Sequence, residues 1–413
     1  MLNLASSHSL LVCLATALFA LNVPGYAHDV TGSALQAPIN WIACLSLLTL
    51  LLIASGRIDL EFLKSPLMWW CYGYLYVSVM WFLLSSQSDQ AWRMLRLRAL
   101  SAVELGLFLA LFSTQTSVKL ARITVAGVML VTVGLSIYEL FYPMTFSMVY
   151  GRSAALHINP NQAGEILMLG MVLSISVLPQ WARLPYAMLV GVGIGLTLSR
   201  GGMVGWALAV LGLVLARRVV AKDLLVAAAV TVVVVVLATF VGNSELVSSW
   251  GKIMKVRDLQ ERFEWVINPS AITDRSGLER IELARHAWER FEERPLLGHG
   301  TGAAFEGYIP PHNQYLTYMV EHGVLGATLL PLLVVTLIWG TRGENRQLAA
   351  IFGGCLFLQG FFMHGILEVE ARTILVALMA AMGYTSREDV VKAVRSVARP
   401  ESPARPMPSS LLP

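Results

Sequence analysis

The stretch Pro310-Pro311-His312-Asn313-Gln314-Tyr315-Leu316 lies where a long polar segment ends and a hydrophobic run begins. The two prolines stiffen the approach, and Pro311 disfavours a helical conformation at Pro310. We therefore predict that a helix begins close to His312, with Asn313 as its cap. If the following run crosses a bilayer, His312 stands at the membrane surface, where an imidazole is suited to proton transfer near neutral pH. The alternative is a loop histidine beside a helix cap.

The composition of the whole chain is that of a membrane protein. Of the 413 residues, 56% are hydrophobic and only 14% are charged, whereas soluble proteins carry roughly 25% charged residues. The mean hydropathy is +0.64. The net charge of +4 comes from scattered residues of both signs, which does not favour a nucleic-acid partner. The four cysteines lie in apolar runs without a CxxC pair, so we expect neither a disulfide framework nor a zinc site.

Hydropathy predicts an all-α, polytopic integral membrane protein of about twelve transmembrane helices. We expect residues 1–241 to form spans 1 to 9, and residues 242–313 to form a large, mostly helical loop. Residues 314–386 would form spans 10 to 12, and 387–413 a disordered tail. The predicted apolar segments are 10–26, 39–54, 66–84, 99–112, 123–142, 163–178, 184–198, 202–216, 224–241, 314–339, 348–366 and 373–384.

The distribution of lysine and arginine predicts the orientation. With both termini in the cytoplasm, most basic residues of the connections and the tail fall on the inner side. The long loop then lies outside. Some arginines near the membrane fall on the outer side, against this rule: Arg93, Arg96, Arg98, Arg152, Arg200 and Arg372. Their position needs an explanation, and anion binding is one.

Two amphipathic helices are predicted in the long loop. The first carries apolar residues from Leu246 to Ile267 at helical spacing. The second follows Ser276-Gly277-Leu278-Glu279, which has a capping-box pattern, and ends before Pro295. They could lie over the mouth of the membrane domain or pack only on each other.

Arginine 200 is the first candidate for binding an anion. It lies in Thr197-Leu198-Ser199-Arg200-Gly201-Gly202, a two-glycine turn between hydrophobic segments. A guanidinium offers a rigid fork of donors for phosphate, and glycines let backbone N–H groups approach the same ligand. Arg280, predicted in the first turn of the second loop helix, opposes the helix dipole there, which hints at a contact elsewhere. The simpler alternatives are a snorkelling Arg200 and an Arg280 offset by neighbouring acids.

A further polar connection contains Arg152, His157 and Asn161, followed by Glu165 inside a hydrophobic segment. Asn159 and Asn161 bracket Pro160 at a predicted helix start. Glu165 needs a partner or a water-filled cavity, and an ion pair with an arginine is the simple account. The last outer turn contains His364, Glu368, Glu370 and Arg372, which could face the same cavity or form a structural ion-pair cluster.

Some motifs are absent from the sequence. Gly298-His299-Gly300-Thr301-Gly302 follows no strand, so we interpret it as a turn and not a dinucleotide site. The chain contains no Asp-x-Asp, P-loop, GxSxG or HExxH pattern. ATP hydrolysis and serine or zinc hydrolysis are therefore not expected.

The order of these motifs resembles the O-antigen ligase and polymerase superfamily of bacterial envelope glycosyltransferases. The similarity runs from about Asn159 to Gly326. It rests on Asn159-Pro160-Asn161, Leu198-Ser199-Arg200-Gly201-Gly202, Ser276-Gly277-Leu278-Glu279-Arg280 with Trp288, Pro295-Leu296-Leu297-Gly298-His299-Gly300, Pro311-His312-Asn313-Gln314-Tyr315 and Glu321-His322-Gly323-Val324-Leu325-Gly326.

The resemblance implies a GT-C-like, inverting glycosyltransferase at the periplasmic face of the Gram-negative inner membrane. The donor would be O-polysaccharide on undecaprenyl pyrophosphate, and the acceptor a sugar hydroxyl of lipid A–core. Arg200 and Arg280 would hold the pyrophosphate, and His312 would act as general base or orient the acceptor. We add Arg152, Asn161, Asn313, His157 and Glu165 as candidate substrate-binding residues by placement. No cofactor, metal or nucleotide is expected.

Three other functions remain open. An O-antigen polymerase would use the same donor and a second lipid-linked glycan as acceptor. A protein O-oligosaccharyltransferase would glycosylate a protein such as pilin. A lipid-linked oligosaccharide flippase, which is not an enzyme of this type, would tolerate replacement of His312, whereas a transferase would not.

Overall fold

The computed structural model describes residues 4–220, 275–306 and 309–398, with the side chains of 7–220, 278–306 and 309–385. These residues form helices joined by short turns, and no strand occurs among them. The helices are α1 Leu4–Ala20, α2 Val23–Thr31, α3 Pro38–Ala54, α4 Pro66–Leu83, α5 Asp89–Leu111, α6 Gln115–Phe141, α7 Pro160–Ser174, α8 Gln180–Thr197, α9 Arg200–Leu215, α10 Arg275–Glu293, α11 Gln314–His322, α12 Gly326–Gly340, α13 Gly343–Gln359 and α14 Glu370–Ala398.

Short polar side chains set several of these boundaries, as the sequence predicts. Asn159 caps α7, with Pro160 in the first helical turn. Asn313 caps α11 by accepting a hydrogen bond from the Leu316 N–H at 3.1 Å. Each cap satisfies a backbone donor that the helix itself leaves unpaired.

The predicted segments differ from the structure at several points. The first is divided into α1 and α2 at Asn22, which has a left-handed conformation, and the tenth is divided into α11 and α12 by a turn at Gly323. Helix α5 begins at Asp89, so Arg98 lies inside a helix and not in a connection. Residues 224–241 and the first predicted loop helix lie outside the described residues.

Helix α7 is the centre of the bundle. Nearly every side chain from Ala163 to Ser174 is buried, and α6, α8, α9, α13 and α14 all pack against it. A helix that is apolar on all sides must be surrounded by other helices or by lipid. The other helices are therefore arranged around α7, which fixes the position of the polar residues at its two ends.

Within the described ranges, two helices are long and apolar enough to cross a membrane. These are residues Gln115–Phe141 and Gln314–Gly340, and a bent pair, Ser7–Ala20 with Val23–Thr31, could form a third span. The second span contains α11, the turn at Gly323 and α12. The helices described are consistent with a membrane protein, and the total of twelve spans stays a prediction.

Arginines are gathered at the end of the bundle where α7 finishes. Arg122 donates to the Leu173 carbonyl at 2.8 Å and also to Ser176. Arg183 donates to the Arg218 carbonyl at 3.2 Å. Arg218 in turn pairs with Glu344 at the start of α13. We call this end the basic face, and the opposite end, where α7, α9, α11 and α14 begin, the site face.

Candidate functional site

His312 lies at the site face in the loop just before α11. The loop is fixed from behind, because the Gln314 N–H donates to the Gly360 carbonyl at 2.7 Å. The Gln314 side chain also accepts a hydrogen bond from the Ile366 N–H at 2.9 Å. These bonds join the His312 loop to the segment between α13 and α14, which we call the 359–366 segment.

A second histidine faces His312 from the 359–366 segment. The ring centroids of His312 and His364 are 5.2 Å apart, with their planes tilted by 42°. His364 also hydrogen-bonds to the backbone carbonyl of Pro311, and Phe305 packs against its ring at 5.9 Å. The loop that carries His312 is therefore held on both sides of the histidine.

Charge and burial favour the neutral form of both histidines. Burial lowers the pKa of His312, and the nearby positive charge of Arg280 lowers that pKa further. Burial, with contributions from His312 and Arg372, lowers the pKa of His364 to about 4. A neutral imidazole can accept a proton, which a general base must do. The charge of Arg280 therefore acts on His312, while the roles predicted for the two residues stay predictions.

Helix α10 carries Arg280 and is held against α11. The helix occupies Arg275–Glu293, so it begins before the predicted capping box and that predicted start is wrong. Arg280 accordingly lies in the second turn, whereas the sequence predicted the first. Ala287 of α10 packs with Ala304 and Val320. Arg290, also on α10, donates to the Ala303 carbonyl at 2.8 Å.

The turn that carries Arg200 lies between α7 and the 359–366 segment. Leu198 has a left-handed conformation, and Ser199 caps α9 by accepting a hydrogen bond from the Gly202 N–H at 3.2 Å. Gln359 donates to the Gly201 carbonyl at 2.9 Å, and there is little room for a Cβ at Gly201 because it would approach Phe362 to 3.2 Å. The 359–366 segment thus touches both the Arg200 turn and the His312 loop.

Arg152 ties another part of the site face together. It donates to the Thr197 carbonyl at 2.9 Å and to the side-chain oxygen of Asn161 at 2.7 Å. Arg152 and Asn161, both predicted from placement alone, are therefore neighbours beside the Arg200 turn. Asn313, by contrast, acts as the helix cap described above.

Below these residues lies a buried ion pair. Glu165 of α7 and Arg372 of α14 are both fully buried, and Oε2 of Glu165 is 2.8 Å from Nε of Arg372. Arg372 also donates to the Gly365 carbonyl at 2.6 Å. The positive charge of Arg372, added to burial, lowers the pKa of His157 to about 4. Glu165 therefore has the arginine partner expected for a carboxylate inside a hydrophobic segment, and we call this pair the floor of the candidate site.

A second buried ion pair supports the loop between α10 and α11. Arg98 pairs with Glu321 of α11 and donates to Nε2 of His322 at 2.9 Å, with all three side chains fully buried. Glu321 also accepts a hydrogen bond from the Gly302 N–H at 2.9 Å. The glycine-rich sequence after α10 is thus a turn locked onto α11. Arg98 and Arg372 are two of the arginines that the sequence predicted on the outer side. A buried ion pair with a glutamate explains the position of each.

The close approach in this region explains the need for glycine at two positions. Gly298 and Gly323 both have positive φ angles, +66° and +61°. A Cβ at Gly298 would lie 2.5 Å from the Glu321 backbone, and one at Gly323 would lie 2.3 Å from the Leu296 carbonyl. A larger residue at either position would separate the turn after α10 from the end of α11.

Sequence reasoning missed the contact between His364 and His312. The sequence placed His364 in a cluster that could face the cavity, but no short-range pattern connects it with a residue 52 positions earlier. In the described parts of the chain, no group of three His, Cys, Asp or Glu side chains has an arrangement that could hold a metal ion.

The comparisons with known proteins agree with the motif order. No curated protein matches the chain. A family model described as O-antigen ligase matches residues 185–331, about a third of the chain, including Arg200, Arg280, His312 and Asn313. Over residues 185–331, the match confirms the resemblance to the O-antigen ligase and polymerase superfamily.

Proposed function

We propose that this protein is an O-antigen ligase, a metal-independent, inverting glycosyltransferase. It would move O-polysaccharide from undecaprenyl pyrophosphate to a sugar hydroxyl of lipid A–core during lipopolysaccharide biosynthesis. The observation that carries the proposal is the connection of the His312 loop to the Arg200 turn through the 359–366 segment, with the charge of Arg280 acting on His312. A base and two candidate anion-binding groups therefore share one face of the bundle.

The proposed reaction is a single displacement at the anomeric carbon of the donor. The acceptor hydroxyl gives its proton to His312 as its oxygen forms the new bond to C1. The bond from C1 to the pyrophosphate oxygen breaks at the same time, and the pyrophosphate keeps the electron pair. Arg200 and Arg280 stabilise the negative charge that develops there. Attack from the side opposite the leaving group inverts the anomeric centre.

The other candidate residues support this arrangement. Arg152 and Asn161 lie beside the Arg200 turn and would contact the glycan or the phosphates. Asn313 holds the start of α11, and so the position of His312. We assign His157 and Glu165 to the floor of the site, because both are buried around Arg372 and would position the residues above them without touching the substrate.

The proposed location is the Gram-negative inner membrane, with the site face in the periplasm and both termini in the cytoplasm. The arginines on the basic face support this orientation, since basic residues are enriched on the cytoplasmic side of membrane proteins.

A reconstitution with purified components tests the reaction and its acceptor. The protein is mixed with lipid-linked O-polysaccharide and lipid A–core in EDTA without ATP, and ladder-type lipopolysaccharide is detected on a gel. Transfer to lipid A–core supports the ligase. Longer glycans on the lipid carrier would identify a polymerase instead, and transfer to a pilin-like protein an oligosaccharyltransferase. Lipid translocation without sugar transfer to any acceptor would contradict the proposal.

A further inference from the structure

A groove runs along the outside of the bundle between α4 and α12, away from the candidate site. Its volume is about 570 Å³, within the range of roughly 300–1,000 Å³ that small-molecule sites occupy. Helix α4 contributes residues three and four positions apart, including Trp69, Gly73 and Val77, and α12 contributes Leu332 and Trp339 in the same way. One face of each helix therefore forms an apolar wall.

The floor of the groove is rigid. The indole N–H of Trp70 donates to the Leu329 carbonyl at 3.0 Å, and the Trp70 ring stacks on Tyr74 with centroids 4.9 Å apart. Tyr74 in turn contacts the hydroxyl of Tyr318 at 3.2 Å. The groove is thus formed by packed and hydrogen-bonded residues, which favours a stable site over a transient gap.

One end of the groove carries a basic residue and two tryptophans. This end holds Lys64, immediately before α4, together with Trp69 and Trp339, whose exposed fractions are 66% and 74%. This end lies at the basic face, because α12 ends there and α13 starts beside Arg218. Tryptophan and lysine together are typical of the boundary between hydrocarbon and headgroups.

The length of the groove corresponds to one leaflet of a bilayer. From Pro66 to Val77 it follows eleven residue steps of α4, roughly 17 Å at about 1.5 Å per residue. One leaflet contributes half of a hydrocarbon core of about 30 Å, that is about 15 Å. The groove therefore extends from the basic face to about the middle of the membrane, on the side away from His312.

We propose that this groove binds an anionic glycerophospholipid of the leaflet at the basic face. An acyl chain lies along Gly73 and Leu332, and the headgroup phosphate lies against the Lys64 ammonium. The lipid-linked donor is the less suitable occupant, because its pyrophosphate would be held at the opposite face, by the proposed function. This choice between the two lipids rests on the proposed function, whereas the groove and its charge do not depend on it.

Filling the groove provides a direct test. A Cβ at Gly73 would meet no atom within 4 Å, so Gly73→Leu adds a side chain to the groove without a clash. Gly127→Leu on α6 is the matched control, because Gly127 is also exposed, also helical and also free of neighbours within 4 Å. Thermal unfolding of both variants verifies that they fold.

The measurement is native mass spectrometry of delipidated protein titrated with dioleoyl phosphatidylglycerol or dioleoyl phosphatidylcholine. We expect the wild type and Gly127→Leu to retain phosphatidylglycerol and Gly73→Leu to lose it. Lys64→Gln should weaken phosphatidylglycerol binding about fivefold, since one basic residue near anionic lipid is worth about 1 kcal/mol. It should weaken phosphatidylcholine binding less, because the choline cation offsets the charge of the phosphate.

Three outcomes would overturn the proposal. Gly73→Leu could bind as much phosphatidylglycerol as the wild type, which would place the lipid elsewhere. The wild type could bind phosphatidylcholine equally well, which would remove the role of Lys64. Undecaprenyl phosphate could displace phosphatidylglycerol at equal or lower concentration, which would make the carrier lipid the occupant.

Discussion

At His312, burial and the charge of Arg280 both lower the pKa of the imidazole. Both favour the neutral imidazole, so the pKa of His312 lies below the ordinary value of about 6.5. The base form therefore persists below that pH. Transfer should stay constant as the pH falls through 6.5 and should decline only at more acidic pH.

Replacing Arg280 tests this electrostatic link. In Arg280→Gln the positive neighbour is lost, so the pKa of His312 rises and the acidic limb of the rate profile moves to higher pH. The measurement is the single-turnover rate at saturating donor across pH 4.5–8. Arg285→Gln on the same helix is the control, because Arg285 is well exposed and pairs with Glu289. An unchanged acidic limb in Arg280→Gln would contradict the assignment.

Glu165 provides a prediction about stability. Glu165→Gln leaves the Arg372 charge buried without its counter-ion, and breaking a buried pair costs roughly 3–5 kcal/mol. We expect a clear drop in the temperature of half-unfolding. Glu344→Gln also removes one member of a glutamate–arginine pair, but the Glu344 side chain is 82% exposed, so we expect little change there. Equal effects of the two substitutions would contradict the account of the site floor.

At the level of elements, the Arg98–Glu321 pair connects α5 and α11 with the loop that follows α10. Through Gly302, Glu321 holds the loop that positions α10 and its Arg280. Arg98 lies outside residues 185–331, so part of the support for the matched domain comes from the N-terminal helices. We regard Arg98 and Glu321 as positioning residues.

A set of three variants separates stability from positioning. Arg98→Met and Glu321→Met should each destabilise the protein by roughly 3–5 kcal/mol, whereas the double variant should recover most of the stability. The double variant still lacks the acceptor for the Gly302 N–H, so its KM for the donor should stay raised. The measurements are thermal unfolding and transfer kinetics at varied donor concentration. Normal donor kinetics in the double variant would assign the pair a purely structural role.

For the whole molecule, local sequence signals predicted those helix starts that a proline or a capping side chain marks. Proline and serine mark the start of α4, which lies within one residue of the predicted bounds, and Asn313 marks the start of α11. These signals depend only on neighbours within a few residues, so they can be recognised in a single sequence. The break at Asn22 was not predicted, because Leu10 to Tyr26 reads as one apolar run.

The contacts that form the site were harder to predict. Arg98 and Glu321 are separated by 223 positions, and no periodicity connects residues so far apart. The sequence indicated only that a charge at membrane depth needs a partner. Which partner each charge has, and that His364 lies against His312, depends on how the helices pack.

The central claim is that His312 takes the proton of the acceptor. The measurement that tests it most directly is the single-turnover rate of glycan transfer in the reconstituted system for the wild type, His312→Ala and His286→Ala. His286 lies on α10 with an exposed side chain, so its loss controls for removal of a histidine near the site. We predict that His312→Ala is slower by roughly 10²–10⁴-fold, the usual contribution of a general base, while His286→Ala matches the wild type. Transfer by His312→Ala at the wild-type rate would contradict the account.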